Sequence, residues 1–257
     1  MLPKQFKPSH LYDLIRLGRN NDGGYLVGKN SVLNSSVLIS FGINDDCSFE
    51  NEFKNLQNID VFCFDHEVGG KFWFKKFRKA LRKFLKGEIH LLKNFFFNIY
   101  NHKYFFNRSG CFLFKKRIVS KEDSYLLSNE ININKIIKNN NLQKNLFLKI
   151  DIEGSEYEIL NDIISYKSYI SGLVIEFHDA DLNLSKIINF INSIDLELIH
   201  IHPNNSVNYR NNIPPCLEFS FERNPIVVSS EVYFPHKLDQ KNDKRNDDLK
   251  LIFSTIK

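Results

Sequence analysis

The chain has 257 residues, enough for one large domain with a full core, and is 42% apolar and 25% charged, the profile of a soluble globular protein. No apolar run approaches the roughly 18 residues of a membrane-spanning helix, and the opening MLPKQFKPSHLYDL is too polar for a secretory leader, so the cytoplasm is the expected location. The net charge of +5 is unevenly placed: residues 71–117 hold 14 Lys or Arg against Glu88 alone, a net of +13 that leaves −8 for the rest. Basicity confined to one segment of a mildly acidic body does not predict a nucleic-acid partner. Cys47, Cys63, Cys111 and Cys216 are widely spaced with no CxxC pair, which predicts buried thiols rather than disulfides or a zinc site.

In chain order, Ser36–Phe41 (SVLISF) reads as a strand ending at Gly42. Ser48–Leu56 reads as a helix with Ser48 as its cap, and Asp60–Phe64 (DVFCF) as a second strand ending at Asp65. Together they form a βαβ unit. After the basic segment, Arg117–Ser120 is a short strand and Asp123–Asn139 a helix. Leu146–Ile150 (LFLKI) is a buried-type strand, followed by a helix opening just after Gly154. Leu173–Phe177, Leu196–Ile201 and Leu217–Phe221 are further strands, with a helix at Leu184–Ile194. The polar tail after Phe234 predicts a loose surface segment before a short final strand. This alternation predicts an α/β domain over 1–257, doubly wound around a mainly parallel sheet, with residues 71–117 as a basic insert or lid within it.

Ligands of such sheets bind at the carboxyl ends of the strands. Those ends carry Gly42, Asn44 and Asp45, then Asp65, then Asp151 and Glu153, then Glu176 and His178, then His202. A glycine after the first strand lets a ligand approach the backbone, and an acid ending the second can accept ribose hydroxyls. SFGIND has one glycine where GxGxxG would be needed, which disfavours a dinucleotide and fits adenosylmethionine. Asp151 and Glu176 lie at or in buried strands, where a carboxylate needs a ligand or a partner. Glu156 reads as a solvated helix residue or a helix cap.

LKIDIEGSEYEIL (148–160) resembles the K-x-D-x-E-G-x-E stretch of FkbM-like methyltransferases. GLVIEFH (172–178), HIHPNN (200–205), PPCLEFSF (214–221) and RLGRNNDGGYLV (16–27) resemble a subgroup of that family. The resemblance implies the class I, Rossmann-like methyltransferase fold with seven strands, the last antiparallel. It implies S-adenosylmethionine at the ends of the first two strands, with Asp22, Gly24 and Tyr25 added to the cofactor site. It also implies O-methylation of a nucleotide-linked sugar or glycan in capsule or other surface-polysaccharide biosynthesis.

A sugar hydroxyl is barely ionised at neutral pH, so its proton must be shared or removed. One expectation is a divalent ion (Mn, Mg or Fe) held by Asp151, Glu176, His178 and His202. The other is His178 or His202 as general base, its tautomer held by Glu176 or Asp151. Within the insert, residues 71–89 space Trp73, Phe77, Ala80, Leu81, Phe84 and Leu85 as a helix with cations opposite. Packing on the domain, a diphosphate-binding lid and peripheral membrane contact through 71–90 are its three readings. An NAD(P)-dependent nucleotide-sugar oxidoreductase and a non-catalytic membrane-associated scaffold are the competing functions.

Overall fold

The computed structural model describes residues 1–254. Seven strands form the central sheet: β1 (Val37–Phe41), β2 (Asp60–Phe64), β3 (Cys111–Phe114), β4 (Leu146–Ile150), β5 (Ile170–Phe177), β6 (Glu197–Pro203) and β7 (Leu217–Glu222). Their order across the sheet is β3-β2-β1-β4-β5-β7-β6, and only β7 runs antiparallel to its neighbours. This is the class I methyltransferase order.

The central strands are buried on both faces, and β1, β2 and β4 are apolar at nearly every step. Side chains alternate with period two. Ile39, Phe41, Leu148, Ile150 and Ile175 enter one core, while Leu38, Val61, Cys63, Phe147 and Val174 enter the other. Helices α4 (Ile133–Asn139), α5 (Glu156–Ser165) and α6 (Leu184–Ser193) cover the first face through Ile136, Ile159, Ile163 and Ile187. Helix α1 (Ser48–Leu56) covers the second through Phe49 and Phe53. Strand order reverses between β1 and β4, which opens a crevice at their carboxyl ends.

Several sequence expectations need correction. The third strand of the sheet is Cys111–Phe114, six residues before the expected Arg117–Ser120, because CFLF supplies the apolar residues that pair with Val61–Phe64. Arg117–Ile118 instead pairs with Glu130–Ile131 in a two-stranded ribbon. The single helix expected over Asp123–Asn139 is broken: a 3-10 turn at Asp123–Tyr125 and that ribbon precede α4, whose start is fixed by Asn132 accepting from the Lys135 amide at 2.7 Å. The insert holds two helices, α2 (Gly70–Phe84) and α3 (Ile89–Phe106), folded as a hairpin.

The tail is not loose either. Asp239 meets His200 at 2.9 Å and Asn242 donates to Glu218 at 2.7 Å, so its polar side chains satisfy buried groups on β6 and β7. Of the expected final strand, Phe253 makes one bridge to Leu2, and residues 255–257 lie outside the described residues.

Candidate active site

Two cavities adjoin at the carboxyl ends of β1 and β4. The first, about 140 Å³, lies between Gly42, Asn44, Asp65, Glu67, Ile118 and Ile152. The second, about 410 Å³ and more polar, is reached by Tyr25, Lys149, Glu176, His178, Asn204 and Cys216. Gly42, Asn44, Asp151 and Glu153 line both and form the boundary.

The turn after β1 is built around Gly42, whose φ of 76° favours glycine and where a Cβ would collide with the Asp151 carbonyl. Asn44, also left-handed, donates its amide to Asp65 Oδ2 at 2.9 Å, beside the Ile43 amide at 3.2 Å. Asp65 Oδ1 accepts from the Glu67 and Val68 amides at 2.9 and 3.2 Å. Asp65 thus ties two loops together with four backbone bonds.

A buried ammonium governs the boundary. Lys149, on β4, donates to the Gly42 carbonyl and lies 3.6 Å from Asp151 Oδ2. Burial opposes its charge, but Asp151, Glu50 and Glu176 outweigh that and raise its pKa. Glu50, 1% exposed, accepts from Ser40 at 2.5 Å, and burial pushes its carboxyl up even though Lys149 opposes the shift.

The Tyr25 hydroxyl lies 3.0 Å from Asp151 Oδ2 and 3.1 Å from Glu176 Oε2. One hydroxyl proton cannot serve both acids. Burial, then the charges of Asp151 and Glu218, push the Glu176 carboxyl up to about 8. Burial thus favours the protonated form of Glu176, in which it donates to Tyr25, which donates to Asp151. Asn204 and the Cys216 thiol donate to the other Glu176 oxygen at 2.8 and 2.7 Å.

His178 follows β5, and its Nδ1 lies 2.9 Å from Glu156 Oε1. Glu156 opens α5 and is fully buried, so its reading as a solvated residue is wrong. Nor does it cap the helix, whose N-cap is Ser155: the same oxygen accepts from the Ile152 and Gly154 amides of the preceding turn, at 3.3 and 3.0 Å. Burial pulls the His178 pKa down, but the Glu156 hydrogen bond, then Glu176, Glu156 and Asp151 as charges, outweigh it and push it up to about 9. With Nδ1 turned to Glu156, Nε2 faces the cavity, 3.6 Å from Glu153 Oε2. The carboxylate that orients this imidazole is Glu156, not Glu176 or Asp151.

Not every expected residue joins the site. His202 is buried on β6 with Nδ1 3.4 Å from Glu218 Oε2, and it lines neither cavity. The four-residue metal set is therefore not assembled; among the described residues, Asp151, Glu153 and His178 bring ligand atoms within 4.8 Å of one another, as do Glu176, His178 and Cys216. Asp45 is held by Lys76 at 2.9 Å and Asn98 at 3.1 Å, so it anchors the hairpin instead of standing free for a cofactor. Gly24 lines neither cavity; it leaves room for the Arg16 guanidinium. Asp22 sits at the rim with its side chain 60% exposed, 3.7 Å from Arg19.

Residues 29–195, well over half of the chain, match the model of the methyltransferase FkbM domain. No curated protein matches. Among solved structures the chain is similar to M. capricolum TrmK in complex with S-adenosyl-homocysteine, at 13% identity over 76% of this chain and 67% of that one, TM-score 0.37. It is also similar to precorrin-6y C5,15-methyltransferase from Geobacter metallireducens GS-15, at 13% identity over 75% and 85%, TM-score 0.34. A third is M. jannaschii TYW2 in complex with AdoMet, at 12% identity over 76% and 74%, TM-score 0.31. These likenesses are remote, and the fold assignment rests on the strand order itself. By that order and the match over residues 29–195, the chain belongs to the FkbM methyltransferase domain family and is an S-adenosylmethionine-dependent methyltransferase.

Proposed function

We propose that this methyltransferase is an O-methyltransferase acting on a sugar hydroxyl, with His178 as general base. The single observation that carries the reading is the His178–Glu156 pair at 2.9 Å, beside the boundary of the two cavities. S-adenosylmethionine, when bound, supplies an electrophilic methyl group. The first cavity suits its nucleoside: Ile118, Ile152 and Phe64 offer apolar walls, and Gly42 keeps the backbone open to a close approach. In the second cavity, the acceptor hydroxyl would give its proton to His178 Nε2 as its oxygen takes the methyl group, the methyl–sulfur bond breaking and S-adenosylhomocysteine leaving. Glu156 holds the proton on Nδ1, which leaves Nε2 free to accept, and stabilises the imidazolium that forms. Asp151, fixed by Lys149 and Tyr25, offers an acceptor for a neighbouring hydroxyl.

The sugar class rests on the sequence resemblance and on this polar, hydroxyl-matching wall. Purified protein incubated with S-adenosylmethionine and a panel of nucleotide sugars should yield S-adenosylhomocysteine and a product heavier by one methyl group, read by mass spectrometry. Turnover on RNA or a nitrogen nucleophile, with none on any sugar, would overturn the reading.

Asp65 tests the cofactor cavity. Its alanine variant loses the acceptor for four backbone amides, so the loops after β1 and β2 lose their tie. S-adenosylhomocysteine affinity should fall tenfold or more, about 1.4 kcal/mol, by calorimetry. Unchanged affinity would remove Asp65 from the cofactor site.

A divalent ion at Asp151, Glu153 and His178 is a second reading, favoured by the closeness of their ligand atoms. Their oxygen and nitrogen donors fit Mg or Mn, and the ion would lower the pKa of the acceptor hydroxyl. Against it, the Lys149 ammonium already serves Asp151. Chelator decides: full turnover in metal-free protein eliminates the ion, and loss restored by Mn or Mg establishes it.

A further inference from the structure

The α2–α3 hairpin has two unlike parts. Its root is packed: Trp73 stands edge-on to Phe95 and His102, Phe105 is buried in the core, and Lys76 and Asn98 hold Asp45. Its apex is not. Every residue from Leu81 to Gly87 is exposed, including Phe84 and Leu85, the latter at 76%. Along the outer side of α3, Phe96, Phe97, Tyr100 and Tyr104 are each more than half exposed. The same hairpin carries ten Lys or Arg and the single acid Glu88.

A basic face that is merely solvated has no use for exposed leucine and phenylalanine. Contiguous apolar patches on a monomer mark contact sites, and here the patch is rimmed by cations. A second copy of this chain is a poor occupant, because two faces of the same strong positive charge repel. Nucleic acid would satisfy the lysines and could stack on the exposed rings of Phe84, Phe97 and Tyr100, but it would leave the aliphatic Leu81, Leu85 and Ile89 at the apex in water. A bilayer containing anionic phospholipid matches both features at once: the cations meet phosphates while leucine and aromatic side chains enter the headgroup–acyl boundary.

We propose that the α2–α3 hairpin docks the protein on anionic phospholipid membranes. The root lies in the wall of the second cavity, since Lys76 and Asp45 both line it. Docking therefore sets the mouth of that cavity near the bilayer, which suits an acceptor sugar carried on a lipid or on a membrane-bound glycan. This last step rests on the sugar reading above; the docking itself does not.

The test is vesicle co-sedimentation at physiological salt, with pure phosphatidylcholine against phosphatidylcholine containing about one third phosphatidylglycerol. Binding is expected to the second only. Changing Lys75, Lys79, Lys83 and Lys86 to Gln should weaken it on the order of a hundredfold. Leu85→Ser with Phe97→Ser should weaken it about tenfold at unchanged charge. Both variants lie away from the cavities and should keep wild-type melting behaviour and S-adenosylhomocysteine affinity. The docking proposal is overturned if wild-type protein stays in the supernatant, or if the Leu85/Phe97 variant binds as tightly as wild type. It is overturned equally if those substitutions dissociate an oligomer seen by light scattering, or if mixed-sequence single-stranded RNA displaces the vesicles. Failure on every sugar with vesicle binding intact would sink the sugar reading alone.

Discussion

Replacing His178 with alanine is expected to lower kcat by about a hundredfold to ten-thousandfold, the range a positioned general base supplies, while S-adenosylhomocysteine affinity stays at wild type. The pH profile carries the sharper information. A base must be neutral to accept a proton, and the His178 pKa is pushed up to about 9. Activity should thus be low below neutrality, rise with pH, and level off above about pH 9. Glu156→Gln removes the charge that favours the imidazolium but keeps an acceptor for Nδ1–H. Its rising limb should move to lower pH, and its maximal rate should fall less than that of His178→Ala. The two substitutions together should cost little more than the histidine alone, because the pair acts as one unit. A limb that does not move in Glu156→Gln would remove Glu156 as the orienting group.

The reach of the sequence differs between scaffold and site, for physical reasons visible in particular residues. SVLISF, DVFCF and LFLKI are apolar at nearly every step, and this is what a sheet covered on both faces demands, so β1, β2 and β4 were legible. Strand β3 was not, because CFLF follows an equally aromatic helix and only its pairing with β2 separates the two. The break before α4 was hidden as well, since a two-residue ribbon has no periodicity to read.

At the site, a carboxylate inside an apolar strand pointed to Glu176, and the same logic applied to Lys149 would have found the buried ammonium. Glu156 has no such signal. It follows a polar turn at a helix start, where exposed acids are common, and only the docking of α5 against the segment after β5 buries it. His202 misled for the converse reason: it ends a strand beside the crevice, but the antiparallel insertion of β7 places β6 at the sheet edge, where His202 meets Glu218.

Lys149 is where the largest effect on stability is expected. Its ammonium is buried among Asp151, Glu50 and Glu176, and it also holds the Gly42 carbonyl. Lys149→Met keeps much of the side-chain volume and removes the charge, leaving buried carboxylates without their cation. Breaking a buried pair in this way costs about 3–5 kcal/mol. Against a total stability of about 5–15 kcal/mol, that is a large share, and the melting temperature should drop by roughly 10 °C. Adding Glu50→Gln removes one of the stranded charges, so the double variant should be more stable than Lys149→Met alone. The urea midpoints of the two single variants and the double variant measure that coupling. Asp151 would lose its tether in the same variant, so the rate should fall even at temperatures where the protein is folded. A Lys149→Met protein that melts with wild type, or a double variant no better than the single, would mean that the Lys149 charge does not hold the boundary between the two cavities.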